Sequence, residues 1–549
     1  MIGLIAMLAC RDGDDPDRPR PADTHPVPSN TGDSAEPTGE TAGVRVVRGP
    51  TTCSDPGARA SEGAFARQEI GLDWRFADGW RTPGWDIRFG ARGIVVGDFD
   101  RDGHLDVLVP QELEKTRLLL GDGQGTLTEA PERLDRNDAL LGPIGGATAD
   151  WDADGDLDVF LYGQLSPALL LINDGTGFFS VEVHAEWDVV QVGCGGTAAF
   201  ADADLDGDVD LFYGRMGRGG ADEPIPCTNR LLLNEGGAFV DHSELLPAEV
   251  QAIRGTAGGF HQFDEDVEPE LYVVGLAEEA FVGTNLLLDR QLDGSWAVVH
   301  GNGLDVPIAG MGMAAADMND DGLMDVAIAG FSEIKYLKSV TPGVWANASA
   351  ATWLGPDPAR DQVVAWGGEF EDYDLDGFLD ASFTFGTTLF SPFFQPDEIW
   401  RWDVAAARFT PVGEAWGVSD DNVNRGTVSA DLNEDGYPDW LKRELGGVLF
   451  VDASRCGEAS WLEVRLRQDG ANLDAIGARI RVIAGEDHWD RTIIAGSDSF
   501  CSGGPPVAMF GLGDRARIDR VEVTWPDGGV TSWGPQEARQ VLEFTRPVP

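Results

Sequence analysis

The chain has 549 residues, with 94 acidic side chains against 40 basic ones and a formal charge of −54. That imbalance argues against nucleic acid or an anionic membrane surface as a partner and makes cations the natural complement. The length exceeds one ordinary core, and 71 glycines with Asp- and Asn-rich gaps between short apolar runs predict many strands and turns and little helix.

Residues 1–10, MIGLIAMLAC, are too short to cross a bilayer and lack the basic start of a secretory signal. Leu8, Ala9 and Cys10 resemble the end of a bacterial lipoprotein signal, so Cys10 is a candidate lipidation site. The alternatives are a plain N-terminal tail or a start assigned too far downstream. Residues 11–59 are dense in Pro, Asp, Thr and Gly and read as a disordered tether, because too few large apolar groups are present to offset the entropy of ordering.

Seven related loops follow within residues 60–455: DFDRDGHLD, DWDADGDLD, DADLDGDVD, QFDEDVEPE, DMNDDGLMD, DYDLDGFLD and DLNEDGYPD, with starts 52, 52, 60, 55, 55 and 59 residues apart. Regular spacing with several strand-like runs per period signals propeller blades or a solenoid. Six loops keep the pattern D-x-[DN]-x-D-G-x-x-D. A hard cation such as calcium takes six to eight oxygens, which alternate acidic positions bring together, and the glycine permits the sharp turn.

The candidate ligands are Asp98, Asp100, Asp102 and Asp106 in loop one; Asp150, Asp152, Asp154 and Asp158 in loop two; Asp202, Asp204, Asp206 and Asp210 in loop three. They continue with Asp317, Asn319, Asp321 and Asp325 in loop five; Asp372, Asp374, Asp376 and Asp380 in loop six; Asp431, Asn433, Asp435 and Asp439 in loop seven. Loop four begins with Gln262 and replaces the glycine by Val267, so its acids Asp264, Asp266 and Glu270 make a weak or empty site. About six calcium ions are expected. The closing acid stands at position 9 rather than 12, so these are not EF-hands. His104, at position 7, is expected to turn its ring to solvent.

Between the loops a second hairpin recurs, with its last strand opening near Leu127, Phe178, Phe239, Trp296, Trp345 and Phe409. Six outer strands for seven loops leave the last blade one strand short. The segment around Phe65 supplies it, closing the ring without an exposed edge. The fold class is therefore all-β, a seven-bladed β-propeller followed by a small β-rich domain over 456–549. Cys194 and Cys227 flank the third hairpin and are expected to pair, Cys456 pairs with Cys501 by elimination, and Cys53 is left free or joined to Cys10.

In the last domain Asn472, then Ile476 to Arg479, Phe510 to Gly513 and Trp525 to Gly528 match the Asn, I-G-A-R, F-G-L-G and W-P-D-G pattern of the ASPIC/UnbV domain, which this segment resembles. The upstream loops resemble the FG-GAP and VCBS repeats that accompany it in bacterial relatives of cartilage acidic protein. The resemblance implies an extracellular or periplasmic calcium-binding protein, adhesive or matrix-associated, with no defined enzymatic reaction. Read as turns between strands, W-P-D-G and G-L-G carry no binding site of their own.

No G-x-S-x-G, H-E-x-x-H or Walker A loop occurs, and the seven histidines read as structural. The function expected is an exported, monomeric calcium-binding scaffold for a protein or glycan at the cell surface, touching the membrane only through a lipid anchor. A calcium-dependent propeller enzyme acting on acidic polysaccharide is the alternative.

Overall fold

Short, glycine- and alanine-rich runs before each loop and branched or leucine-rich runs after it favour strands that pack on both faces. The computed structural model describes residues 43–547, apart from residues 72–91, 135–139, 188–194, 217–226, 277–284, 356–362 and 387–394 and a few isolated positions. In it each repeat is a four-stranded antiparallel sheet. Blade one passes from inner to outer edge through Val95–Gly97, Asp106–Val109, Arg117–Gly121 and Leu127–Glu129. The same order recurs over residues 143–184, 195–241, 254–299, 310–347 and 364–411. Inner strands such as Pro143–Ala149 and Gly195–Ala201 are buried at every position, because they line the crowded axis.

Blade seven has three strands of its own, Asn424–Ala430, Asp439–Glu444 and Val448–Ser454, and its fourth is Phe65–Gly71. Pairing runs from Phe65 opposite Ser454 to Gly71 opposite Val448. The seven-bladed ring and its closure by the N-terminal strand are as the sequence predicts. An ion network holds the joint: Lys442, wholly buried, lies 3.0, 2.8 and 2.9 Å from Asp397, Asp420 and Asp452. Arg67 of the closing strand reaches Asp420 at 2.8 Å and Asp452 at 2.6 Å.

The C-terminal domain has two main sheets around a core that includes Phe510, Trp525, Trp533 and Phe544. One orders Val44–Arg48, Gln540–Thr545, Ser460–Arg467 and Ala508–Gly513, and the other Asp487–Thr492, Arg479–Ala484, Arg520–Thr524 and Val530–Trp533. The edge strand Val44–Arg48 corrects the tether reading of 11–59: residues 44–48 pair with Val541–Phe544, and a helix spans Pro56–Glu62. A short apolar alternation, VRVVR, was enough to join a sheet that offered an open edge.

The disulfides depart from expectation too. Cys53 is bonded to Cys456 across 403 residues, and Cys501 is a buried free thiol, so the expected Cys456–Cys501 pair is wrong. Strand Val44–Arg48 delivers Cys53 to the start of the C-terminal domain, whereas Cys501 lies on the propeller axis, its Sγ 3.3 Å from the Gly196 carbonyl. Cys227 is disulfide-bonded; its expected partner Cys194 lies outside the described residues, as does Cys10. No helix among the described residues is long and apolar enough to cross a membrane.

Candidate functional site

Each metal loop joins the inner strand to the second strand, so all seven lie on one face of the ring. Six share one backbone design. The position-4 residues Arg101, Ala153, Leu205, Asp320, Leu375 and Glu434 are left-handed at φ 54 to 61°, and the position-6 glycines lie at φ 87 to 98°. The position-1 carboxylate then accepts the glycine N–H, as in Asp98–Gly103 at 3.1 Å, Asp150–Gly155 at 3.0 Å, Asp202–Gly207 at 3.1 Å and Asp372–Gly377 at 2.8 Å.

The position-9 acid is fully buried and locks the blade. Asp106 accepts the N–H of Phe99 at 3.0 Å with one oxygen and that of Gly121 on the third strand at 2.9 Å with the other. Asp210 does the same with Ala203 and Asn234, each at 2.8 Å, and Asp439 with Leu432 at 2.9 Å and Ser454 at 2.7 Å. Burial pushes Asp106 up to about 7, Asp210 to about 8 and Asp158 to about 9, and neighbouring carboxylates add to the shift.

Three loops of this design bring three carboxylate oxygens within 4.8 Å of one another among the described residues through Asp98, Asp100 and Asp106; Asp150, Asp152 and Asp154; Asp202, Asp204 and Asp206. Loop six does so through Asp372, Asp374 and Asp380, and loop four through Asp264, Asp266 and Glu270. Buried oxygens of Asp98, Asp100, Asp150, Asp202, Asp374 and Asp380 have no hydrogen-bond partner among the described residues. Hard anionic oxygens left unpaired in a converging set fit a hard divalent cation such as calcium.

Loops five and seven hold Asn at position 3, and there the amide bonds an acid of its own loop: Asn319 donates to Asp321 at 2.9 Å and Asn433 to Asp439 at 3.3 Å. Loop four takes another path, as its sequence requires. Gln262 donates to the Val267 carbonyl at 2.7 Å, Val267 stays out of the left-handed region, and burial raises Glu270 to about 8. The His104 ring, expected in solvent, instead lies with Nδ1 2.6 Å from Glu434 of loop seven, which raises its pKa.

The C-terminal domain sits on the face of the ring that carries these acidic loops, and several of its motif residues are where it touches. Asn472 bonds Ile476 through both ends of its amide, 2.9 and 2.8 Å, and gives its own N–H to Gly207 of loop three at 3.1 Å. Arg479 donates to the Gly322 carbonyl of loop five at 3.3 Å, and the Asp490 N–H reaches Asp320 at 3.1 Å. Trp489 donates to Gly377 and the Gly513 N–H to Leu375, both in loop six at 2.9 Å. A Cβ on Gly511 would stand 1.9 Å from Asp372 Oδ2, so F-G-L-G needs glycine for close approach. Gly528 of W-P-D-G lies beside Val267 of loop four, where an added Cβ would stand 3.1 Å from a Val267 methyl.

From this domain a segment that sequence reasoning missed, residues 494–507, enters the propeller axis. Ala495 and Gly496 pair with Phe200 and Ala199 of blade three, and Asp498 contacts His261 of blade four at 2.9 Å. The Asp498 carbonyl accepts Met313 N–H of blade five at 2.9 Å, and Phe500 lies 5.1 Å from Trp366 of blade six, centre to centre. Gly503 exchanges hydrogen bonds with Ile94 and Val96 of blade one, both at 2.9 Å. A Cβ on Gly93 would lie 1.8 Å from the Cys501 carbonyl. The run of small residues around Phe500, SDSFCSGG, was the only sign in the sequence of a segment shaped to thread a narrow channel.

The comparisons agree with this division. The family described as ASPIC and UnbV matches residues 468–548, and the FG-GAP-like repeat matches residues 98–161. Cartilage acidic protein 1 of Mus musculus is 27% identical over 280 residues, covering 48% of this chain and 42% of that protein. The Homo sapiens protein is 27% identical with 48% and 41% covered. The chain thus spans less than half the length of these curated relatives. Among solved structures, the BP39L lectin from Burkholderia pseudomallei is 12% identical with a TM-score of 0.43, covering 66% of this chain and 97% of its own. The Dos1 propeller is 9% identical with a TM-score of 0.37, covering 66% and 92%. The chain therefore carries an ASPIC/UnbV domain and an FG-GAP-like repeat, and is distantly similar to cartilage acidic protein 1.

Proposed function

We propose that the protein is an exported, calcium-stabilised scaffold that binds a protein or glycan at the cell surface without catalysing a reaction. The observation that carries this reading is the joint use of the loop face: loops three and six, which converge carboxylates, also receive Asn472, Trp489 and Gly513 of the C-terminal domain. Calcium in these loops would shape sockets for that domain, a structural use of the metal that leaves no loop set apart for chemistry. The disulfide between Cys53 and Cys456 suits an oxidising compartment and hence export.

The test is a paired screen of the full chain in calcium. Retention on immobilised extracellular proteins or glycans, lost on adding chelator, supports the reading. Calcium-dependent turnover of any polysaccharide or ester in the same preparation overturns it, and light scattering checks that the protein is a monomer.

A further inference from the structure

The third strand of blade six brings a basic side chain into its own loop. In each intact loop the closing acid accepts an N–H from the third strand of its blade, so the residue just before that donor stands next to the loop. In blades one, two and three the donors are Gly121, Asn173 and Asn234, and the residues before them are Leu120, Ile172 and Leu233. In blade six the donor is Trp402, on strand Glu398–Asp403, which gives its N–H to Asp380 at 2.9 Å. The residue before it is Arg401, a guanidinium where those three blades have an alkyl chain.

That guanidinium closes on the acids at positions 3 and 5 of the loop. Arg401 Nε lies 2.5 Å from Asp374 Oδ2, and Nη2 donates to Asp376 Oδ2. The consequence falls on Asp376. Its Oδ1 accepts the Phe378 N–H at 3.1 Å, the bond that Asp154 makes with Asp156 and Asp206 with Asp208, each at 3.2 Å. In loops two and three this position-5 acid belongs to the converging set. In loop six the set is Asp372, Asp374 and Asp380 without it, and both oxygens of Asp376 are engaged. Asp374 and Asp380, the latter 1% exposed, each keep one oxygen unpaired among the described residues, so the loop retains ligands for a cation. The Arg401 side chain is 41% exposed and has open water into which it can swing.

We propose that Arg401 is a tethered counter-ion for loop six, which stands in for calcium when the ion is scarce and makes this loop a weaker calcium site than loops two and three. A guanidinium presents a fixed fork of donors that suits carboxylates, and charge-assisted bonds of this kind are strong. A cation that needs Asp376 has to displace it. Such competition reduces the apparent affinity by the fraction of loops left open, so closure about nine-tenths of the time lowers it about tenfold. Loop six also seats the C-terminal domain, through Trp489 on the Gly377 carbonyl and Gly513 on the Leu375 carbonyl, and Arg401 keeps that seat formed after the ion has left. The proposal rests on the calcium-stabilised scaffold reading and names a loop that gives up its ion before loops two and three.

The experiment is calcium titration of the full chain against a chromophoric chelator at pH 7.5, wild type beside Arg401→Met, with melting followed in chelator and in saturating calcium. The variant should bind one ion about tenfold more tightly than wild type does; a site too weak to see in wild type would appear as one ion gained. It should melt below wild type in chelator, where Asp374 and Asp376 have lost their guanidinium, and level with it in saturating calcium. An ion pair that only braces the surface would lower both melting temperatures alike or neither, and either result overturns the proposal. Loss of one ion in the variant overturns it too. Calcium binding identical in the two chains overturns it alone, whereas no calcium bound by either chain overturns it together with the calcium reading.

Discussion

At the residue scale, the most exacting environment belongs to Lys442, which has three aspartates within 3.0 Å and no exposed surface. Three buried carboxylates without their cation are far more costly than the pairing was favourable. Lys442→Met should therefore destabilise the fold by about 3–5 kcal/mol, because Arg67 alone cannot neutralise Asp397, Asp420 and Asp452. Chemical denaturation measures this, and a loss below about 1 kcal/mol, the range of surface pairs, would show that the network contributes little. Cys501 offers the converse case. It is 0% exposed and burial raises its thiol pKa, so a thiol-alkylating reagent should leave it unmodified in the native protein and modify it after denaturation, as peptide mapping will read.

At the element scale, two segments distant in sequence complete the ring. Strand Phe65–Gly71 supplies seven paired positions to blade seven, and its loss would expose the edge Val448–Ser454. A chain lacking residues 60–75 should fail to fold cooperatively, and a single sharp melting transition at the parent temperature would refute closure by this strand. The axial segment 494–507 should behave differently, because each blade keeps its own four strands without it. Replacing residues 497–504 by a Gly/Ser linker of equal length should preserve the β-sheet signal in circular dichroism but lower the melting temperature and expose the axis to a hydrophobic dye. Unchanged melting and dye binding would show that the segment is packed there without stabilising the ring.

At the scale of the whole molecule, the proposed calcium would compete with protons for the same loops. Asp106, Asp158 and Asp210 have folded pKa values of about 7, 9 and 8, above an unfolded value near 4. In the chelated protein the native state then binds more protons than the unfolded chain from about pH 4 to these values, so stability falls as pH rises through that window. Calcium needs the deprotonated carboxylates, so its contribution grows over the same range. In chelator the melting temperature should be higher at pH 5.5 than at pH 7.5, and saturating calcium should raise it more at pH 7.5. Parallel shifts at both pH values would disconnect the loop carboxylates from the metal. Because the C-terminal domain rests on these loops, chelation at pH 7.5 should also open the 456–460 junction to limited proteolysis.

Local chemistry wrote much of this molecule into its sequence. The loop pattern at Asp98, Asp150, Asp202, Asp317, Asp372 and Asp431 is a short-range code of turn, ligand and glycine, and six outer strands for seven loops implied that Phe65 must return to blade seven. The deviant path of loop four followed from Val267 in the glycine position. What depended on distant partners was not legible. Nothing near Val44 announces an open edge at Gln540–Thr545, so the same residues read as tether or strand until the sheet exists. Cys53 and Cys456 are brought together by that strand, and counting cysteines could not find them. The motif turn at Gly511 and the segment around Phe500 look like punctuation in one dimension. Only the folded ring supplies the loops and the narrow axis that make their small size necessary, because close approach of backbones is a property of two segments and is written in neither alone.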